Sequence, residues 1–294
     1  MDLGIVWQVL VFGLSLGALY AIIGIGLNLL WGTMRLLNIC HGDIIMLGGY
    51  TTYWLLTLFG ISPLLSVIIA PIGCAAVGLI IYKILFAADL KKTKSLQSLE
   101  ANSLLIFFGV LIILENTALL LWGADLRGFS YLTNSVSIFD IPLAMNRLLA
   151  STIAIFVCLA FYLFLNRTLF GKAVQAIVQD KEATEILGVN TRRIYLFCFC
   201  AAYGMAGMAG TLISMFYTIT PFIGLSYSMM AFMVVVLGGL GNFLGSLVGG
   251  FIIGVVTTAG VALTSPGYMF IIQYLLFITI ILFMPRGIFG KVLK

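Results

Sequence analysis

Charged side chains are scarce in this chain: they make up 9% of its 294 residues, and histidine occurs once. Hydrophobic residues make up 62%. With glycine added and tyrosine removed, the apolar share is about 69%, against about 45–50% in an average globular protein. A water-soluble domain could not bury that much apolar surface. The composition therefore excludes a soluble protein and indicates one with several membrane spans.

Two motif types that would indicate chemistry are also missing. The five cysteines stand in apolar stretches, and the spacing of Cys198 and Cys200 is not the CxxC of a redox or zinc site, so we interpret them as small buried hydrophobic residues. The nucleotide-binding motif GxxxxGK[ST] does not occur; Gly171-Lys172 and Gly290-Lys291 lack its other residues. We expect a chain that is not an enzyme and needs no cofactor or metal of its own, so any ATPase is a separate polypeptide.

The excess of positive charge is confined to loops. Twelve of the fifteen Lys and Arg residues fall into three groups, which are Lys83, Lys91, Lys92 and Lys94; Arg167, Lys172, Lys181, Arg192 and Arg193; and Arg286, Lys291 and Lys294. Basic loops remain on the cytoplasmic side of a membrane. The clustering therefore predicts orientation, and it leaves no basic face for nucleic acid.

The apolar runs predict an all-α, polytopic bundle that forms one domain over residues 1–294, with about 8–10 membrane segments. The start, "MDLGIVWQVL", has no basic region before its apolar run, so we expect it to remain as a span. Because the basic loops all lie on the cytoplasmic side, the number of spans between two of them must be even. Counted in this way, the spans predict that the N-terminus lies outside and the C-terminus lies in the cytoplasm. They also predict a cytoplasmic loop at 167–193 and outer loops at 123–145 and 217–228.

One apolar run is too long for a single span. Residues 229–263 would form a helix of about 52 Å, against a hydrocarbon core of about 30 Å. The stretch "GGLGN" in its middle predicts a break, and hence either two shorter crossings or a re-entrant pair. Non-helical backbone at membrane depth is tolerated where it is buried in protein or lines water. The break therefore predicts part of a translocation path, at Gly238, Gly239, Gly241 and Asn242.

A glycine pair follows an apolar run twice, in "IMLGGY" at 45–50 and in "VVLGGL" at 235–240. Such repetition is one sign of duplicated halves in a transporter. The alternative is chance, because glycine is frequent throughout the chain.

The only histidine lies in "RLLNICHGDIIMLGGY", between two apolar runs. A short span is predicted to begin near His41–Asp43 and to end near Phe59, which puts Asn38, His41 and Asp43 at the cytoplasmic boundary. One interpretation is that these side chains are weak, passing partners for a zwitterionic substrate. The other is an ordinary helix start, in which Asp43 favours the helix dipole and His41 faces lipid headgroups.

An acidic residue, Glu115, stands inside the apolar stretch "FFGVLIILENTALLLWG". A charge in a membrane span is costly and persists where it is used. Glu115 is therefore a candidate for the translocation path, and the alternative is hydrogen bonding between helices of the bundle.

The loop at 167–193 predicts two amphipathic helices outside the bilayer, with Ala173, Ala176, Ile177 and Val178 at helical spacing and Ile186 and Leu187 further on. One interpretation is a helix that rests on headgroups. The acids Asp180, Glu182 and Glu185 argue against anionic lipid and favour a helix docked into a groove of a cytoplasmic protein.

Several motifs carry a family resemblance. The stretch "EATEILG" resembles the EAA loop of ABC-transporter permeases, with Thr184 where alanine is usual. The segments "GLNLLWGTMRLLNICHGDIIMLGGY", "GKAVQAIVQDKEATEILGVNTRRI", "VVVLGGLGNFLGSLVGGFIIG" and "MPRGIFG" are similar, in order, to the branched-chain amino acid permease family. The chain departs from that pattern at Ile39-Cys40 and at Asn242-Phe243, where a proline is missing.

The resemblance implies a permease subunit of an ATP-driven importer in the bacterial inner membrane. Its implied partners are a second related permease, two cytoplasmic ATPase subunits that bind ATP and magnesium, and a periplasmic binding protein. Glu182, Ala183 and Gly188 would be the residues that couple to the ATPase. Sister families that import urea or short amides share these motifs, and a stand-alone channel or ion-coupled carrier is the alternative from another class.

Overall fold

The computed structural model describes residues 3–86, 96–138, 141–284 and 287–289. Its helices are α1 (Leu3–Met34), α2 (His41–Phe59), α3 (Pro63–Ile81), α4 (Leu96–Trp122), α5 (Met145–Arg167), α6 (Leu169–Gln179), α7 (Lys181–Ile186), α8 (Thr191–Ser214), α9 (Gly224–Gly238), α10 (Phe243–Leu263) and α11 (Met269–Phe283). A π-helical turn, Tyr82–Phe86, extends α3, and 3-10 turns at Pro221–Ile223 and Pro266–Tyr268 precede α9 and α11. Two strands, β1 (Ser135–Ile138) and β2 (Ile141–Ala144), complete the described part.

The predicted helical bundle is confirmed. Within the described residues, seven helices are long and apolar enough to cross a membrane, and a shorter apolar helix covers Ile271–Phe283. The short helix α2 begins at His41 and ends at Phe59, as the sequence predicted. Six basic residues that entered the prediction of orientation lie outside the described residues, and so does Asp140 within the predicted outer loop; the six are Lys91, Lys92, Lys94, Arg286, Lys291 and Lys294.

Three helices form the centre of the bundle. In the apolar windows of α1, α8 and α9, between 56% and 72% of the residues are buried, against 22% to 33% in α3, α4, α5 and α10. The difference follows from position, because an outer helix keeps one face against lipid while a central one is surrounded by protein. Apolar residues therefore cannot be assigned to the core from hydropathy alone.

Small residues allow α1 and α10 to pack closely and antiparallel. Gly13 and Gly17 of α1 face Val255 and Phe251 of α10, where a Cβ on either glycine would lie 2.7 Å from the opposite Cα atom. Further along, Gly250 faces Ala21. Glycine and alanine four residues apart let two backbones approach, and van der Waals contact then holds helices together in lipid.

The outer loop at 123–145 contains an element that the sequence did not predict. Strands β1 and β2 pair as an antiparallel hairpin, with Ser135 opposite Ala144. Arg127 and Ile219 form a bridge of two backbone hydrogen bonds, of 2.9 and 2.7 Å, so this loop is tied to the segment before α9. The predicted loop at 217–228 is too long, because α9 already begins at Gly224.

The predicted break in residues 229–263 is confirmed, but its depth was wrong. Helix α9 ends at Gly238 and α10 begins at Phe243, so the run forms two separate segments. The turn between them lies beside Gly32, two residues before the end of α1 at Met34. It is therefore a tight turn at one end of the bundle, because α9 runs parallel to α1 until α1 ends.

The two glycine pairs do not occupy equivalent positions. Gly48 and Gly49 lie inside α2 and face α8 at Gly207 and Gly210, whereas Gly238 and Gly239 lie at the end of α9. The local structure therefore does not support the interpretation of these pairs as a repeat.

Candidate functional site

The start of α2 lies inside the bundle. The imidazole Nε2 of His41 lies 3.2 Å from the carbonyl oxygen of Ile23, and a Cβ on Gly26 would lie 3.2 Å from His41 Cε1. Gly26 precedes the end of α1 at Met34 by eight residues, or about 12 Å along the helix axis. Residues 35–40 therefore return into the bundle as non-helical backbone before α2 begins.

This placement corrects the predicted boundary position. Asn38 and His41 are fully buried and Asp43 is 1% exposed, so His41 does not face headgroups. Asp43 does lie in the first turn of α2, as the sequence indicated. Buried non-helical backbone needs internal partners, and Leu37 finds one, because its N–H donates to Ser103 Oγ over 3.1 Å.

Helices α2 and α9 both begin at this depth. The backbone N–H of Gly42 donates to Ser228 Oγ over 2.8 Å, and Ser228 Oγ in turn donates to the carbonyl of Ile39. The carboxylate of Asp43 packs against Gly224, the first residue of α9. Two helix starts therefore share one small volume, and the contact is too close for a side chain at Gly224.

Several polar atoms in this volume have no hydrogen-bond partner within the described chain. They are Asn38 Nδ2, His41 Nδ1 and Asp43 Oδ2. The His41 tautomer follows from its contact, because a carbonyl only accepts: Nε2 carries the hydrogen, and Nδ1 of the neutral ring is an acceptor. Buried polar atoms without partners are uncommon, and three of them in one small volume make this volume a candidate site.

Glu115 lies on α4, half-buried, within electrostatic range of Asp43. Between α4 and α2 the packing is aromatic, with the rings of Tyr50 and Trp122 stacked at 4.2 Å. Among the residues that the structure describes, the side chain of Glu115 makes no hydrogen bond and no ion pair. Its part in a translocation path therefore remains a prediction, supported by its closeness to Asp43.

The turn between α9 and α10 is held by a residue that the sequence analysis did not single out, Asn28 of α1. Its Nδ2 donates to Asn242 O over 2.9 Å and to Ser246 Oγ over 2.7 Å. Its Oδ1 accepts from the N–H of Gly241 over 2.7 Å. The sequence does contain a signal for this role in "GLNLLWG", where the side-chain amide of Asn28 stands within an apolar span.

The remaining residues of the turn explain its shape. Gly239 and Gly241 have φ angles of +102° and +79°, which other residues rarely adopt. Asn242 caps α10, since its Oδ1 accepts from Gly245 N over 3.0 Å. The chain end reinforces the turn, because Ile288 N donates to Leu237 O over 2.7 Å.

The turn also contacts the predicted amphipathic helix α6. Val178 lies against both Gly32 of α1 and Gly241 of the turn, at 3.4 and 3.1 Å from the position of a Cβ on each glycine. The buried face of α6 carries Gly171, Val174 and Ile177. This turn therefore lies beside the predicted cytoplasmic loop, with its residues Gly238, Gly239, Gly241 and Asn242. Along the axis of α1, it is about one helical turn or more away from His41.

The second amphipathic helix, α7, projects its apolar residues outward. Ile186 is 86% exposed and Leu187 is 81% exposed, and Glu182, Ala183 and Gly188 are exposed beside them. The two predicted helices are thus confirmed as α6 and α7. An exposed apolar pair at the tip of a short helix is suited to insertion into a groove of another protein.

Both ends of α7 have well-defined caps. Asp180 caps it, with Oδ1 accepting from Ala183 N over 3.0 Å, and Gly188 ends it with φ +81°. The unusual Thr184 is buried, and its hydroxyl donates to Asp180 O over 2.6 Å. The departure from the usual alanine therefore adds a hydrogen bond inside the loop and leaves its outer surface unchanged.

The fold and these features define a polytopic membrane permease. The family model of the branched-chain amino acid transport system permease component matches residues 9–282, and the chain belongs to that family. It is 28% identical over 292 residues to the high-affinity branched-chain amino acid transport system permease protein LivH of Salmonella typhimurium, covering 95% of this chain and 94% of LivH.

Two further relatives agree. The protein BraD of Pseudomonas aeruginosa, a high-affinity branched-chain amino acid transport system permease protein, is 27% identical over 97% of this chain and 95% of its own length. A probable branched-chain amino acid transport permease protein LivH of Methanocaldococcus jannaschii is 28% identical over 92% of this chain and 89% of its own length. No solved structure matches the chain.

Proposed function

We propose that this chain is the permease subunit of an ATP-driven importer in the bacterial inner membrane and forms a path for branched-chain or closely related amino acids. The observation that carries the proposal is the exposed pair Ile186 and Leu187 on a capped loop that is joined through Val178 to the α9–α10 turn. The relatives named above, whose descriptions specify branched-chain amino acids, support the substrate class.

The proposed partners follow from the same geometry. Two ATPase subunits, which bind ATP and magnesium, dock on α7 of this chain and of a second, related permease. The excess of Lys and Arg supports a cytoplasmic position for α6 and α7. The loop at 123–145 then lies outside, where a periplasmic binding protein docks. Phe12, near the start of α1, contacts Arg147, which follows the β1–β2 hairpin. The start of α1 and the hairpin therefore lie at the same end of the bundle (the hairpin end), which supports an outer N-terminus.

The proposed mechanism begins with closure of the ATPase dimer. Movement of α7 is passed to α6, whose Val178 contacts Gly32 and Gly241, and from there to α1 and α9. Both helices border the volume around His41 and Asp43, where non-helical backbone allows the packing to change. The buried polar atoms of that volume then serve as passing partners for the substrate, since weak and multiple contacts permit release.

The test is to change the exposed end of α7 in the complete transporter. Gly188→Val forces φ +81° on a branched residue, and Glu182→Ala removes an exposed carboxylate from the first turn. We expect leucine uptake in reconstituted vesicles to fall at least about tenfold, with loss of substrate-stimulated ATP hydrolysis. The control is Gln179→Ala, an exposed change at the end of α6. Normal uptake and hydrolysis in both test variants would remove α7 from the mechanism.

A further inference from the structure

A cavity of about 550 Å³ lies at the hairpin end of the bundle, away from α6 and α7. Its walls come from five parts of the chain: strand β2, the start of α5, residues 215–218 after α8, the loop after α4, and Phe12 of α1. The volume is within the range of sites for small molecules, about 300–1,000 Å³.

Arg147, whose guanidinium group lies against aromatic rings, lines this cavity. The guanidinium carbon of Arg147 lies 5.4 Å from the ring centroids of Phe12 and Phe216, and 6.0 Å from that of Tyr217. These contacts orient a half-buried guanidinium without neutralising it. Within the described ranges no carboxylate lies within 4.0 Å of it, so its planar set of donors remains available for an anion.

An acceptor stands next to this cation. Asn146 is 5% exposed, and its Nδ2 donates to Met215 O over 2.9 Å, which fixes the orientation of the amide. Its Oδ1 is buried and has no hydrogen-bond partner in the described part of the chain. Both Asn146 and Arg147 line the cavity. One wall therefore carries a cation that can pair with an anion and, next to it, a buried carbonyl oxygen that lacks a hydrogen-bond donor.

We propose that this cavity binds a small molecule that carries a carboxylate, an amino group and an apolar side chain. The carboxylate pairs with the Arg147 guanidinium, the amino group donates to Asn146 Oδ1, and the apolar part lies against Phe12, Phe216 and Phe129. The inference rests on the proposed function, because an importer of amino acids receives its substrate at this end. A phosphate of a lipid headgroup offers the same anion chemistry to Arg147 but lacks the remaining groups.

The experiment measures binding to the full chain in nanodiscs, without ATPase subunits, by saturation-transfer difference NMR. The probes are L-leucine, isocaproate, which lacks the amino group, and isoamylamine, which lacks the carboxylate. We expect leucine to give the strongest signal, isocaproate a weaker one and isoamylamine none. Nanodiscs are prepared with phosphatidylcholine alone and with added phosphatidylglycerol, so that competition by an anionic headgroup is seen directly.

Two variants test whether Arg147 makes the contact with the carboxylate. Arg147→Gln removes the cation and should lower the affinity for leucine by about tenfold to a hundredfold, as expected for the loss of a charged hydrogen bond. It should also abolish the preference for isocaproate over isoamylamine, which a merely structural change would not do. The matched control is Arg127→Gln, because Arg127 also lies at this end but donates to Trp122 O and stacks on Trp54, outside the cavity.

The possible outcomes distinguish failure of this binding site from failure of the proposed importer function. Loss of binding and of the carboxylate preference in Arg147→Gln alone supports the proposal. Absence of any leucine signal, equal binding of isoamylamine, or binding that phosphatidylglycerol abolishes would overturn it. Uptake by the complete transporter with an intact response to α7 variants, but without leucine binding here, would reject this site and leave the proposed function standing.

Discussion

Asn28 illustrates how one polar side chain in an apolar helix can determine the structure of a distant turn. Its amide reaches Gly239, Asn242 and Ser246 and accepts from Gly241, so it satisfies backbone groups that the end of α9 leaves free. The sequence placed a break at this turn, but it could not identify the partner, because the two segments are more than 200 residues apart.

Replacing Asn28 should therefore destabilise the α9–α10 turn. Asn28→Ala leaves Gly241 N and the neighbouring carbonyls without their partner, and we expect a loss of about 1–3 kcal/mol in the free energy of unfolding. Thermal unfolding of the purified chain in detergent measures it. Asn116→Ala is the control, since the Asn116 side chain is exposed and donates to Ile112 O of its own helix. Equal stability of the two variants would contradict the role of Asn28.

The cluster at the start of α2 shows a second limit of prediction at the residue scale. The pattern around His41 correctly marked a helix start with Asp43 in its first turn. The predicted position of this helix start at the membrane boundary was wrong. Hydropathy identifies which residues border a span, but not whether the preceding backbone folds back into the protein. Here Ser103 and Ser228 supply hydrogen bonds to residues 37–42, and neither bond is visible in the local sequence.

At the scale of helices, the apolar runs predicted most of the bundle, since length and composition suffice for a span. The start of α9 was the exception. "YTITPFIGLSYS" has the Thr, Pro, Gly and Ser content of a loop. Helix nevertheless begins at Gly224, because close contact with Asp43 needs a glycine there and Ser228 bonds to Gly42 N. Tertiary contacts outweighed local propensity.

The crossing of α1 and α10 should depend on small residues. Gly17→Leu would bring a side chain into the backbone of Phe251, because a Cβ at that position lies 2.7 Å from its Cα atom. We expect destabilisation by about 2 kcal/mol or more and a loss of monodisperse protein in size-exclusion chromatography. Gly109→Leu is the matched change, since a Cβ at Gly109 meets nothing within 4 Å. Tolerance of leucine at position 17 would show that close packing there is dispensable.

For the whole molecule, the proposed orientation makes a direct prediction. Leu126 lies in the loop after α4 and is 72% exposed, while Ile186 of α7 is 86% exposed at the opposite end. A cysteine at Leu126 should react with a membrane-impermeant maleimide in intact cells, and one at Ile186 only after permeabilisation. The unsubstituted chain is the control, because four of its cysteines are buried and Cys200 is half-buried. The reverse pattern would invert the orientation.

The sequence does not contain the nucleotide-binding motif GxxxxGK[ST], and the proposed mechanism depends on α7 receiving the energy of ATP hydrolysis from partner subunits. The most direct measurement compares leucine uptake into vesicles that hold this chain alone with uptake into vesicles that hold the complete transporter, supplied with ATP and binding protein. The proposed mechanism predicts accumulation of leucine only in the second case, and loss of that accumulation when ATP is withheld. Uptake by this chain alone at a comparable rate would contradict it.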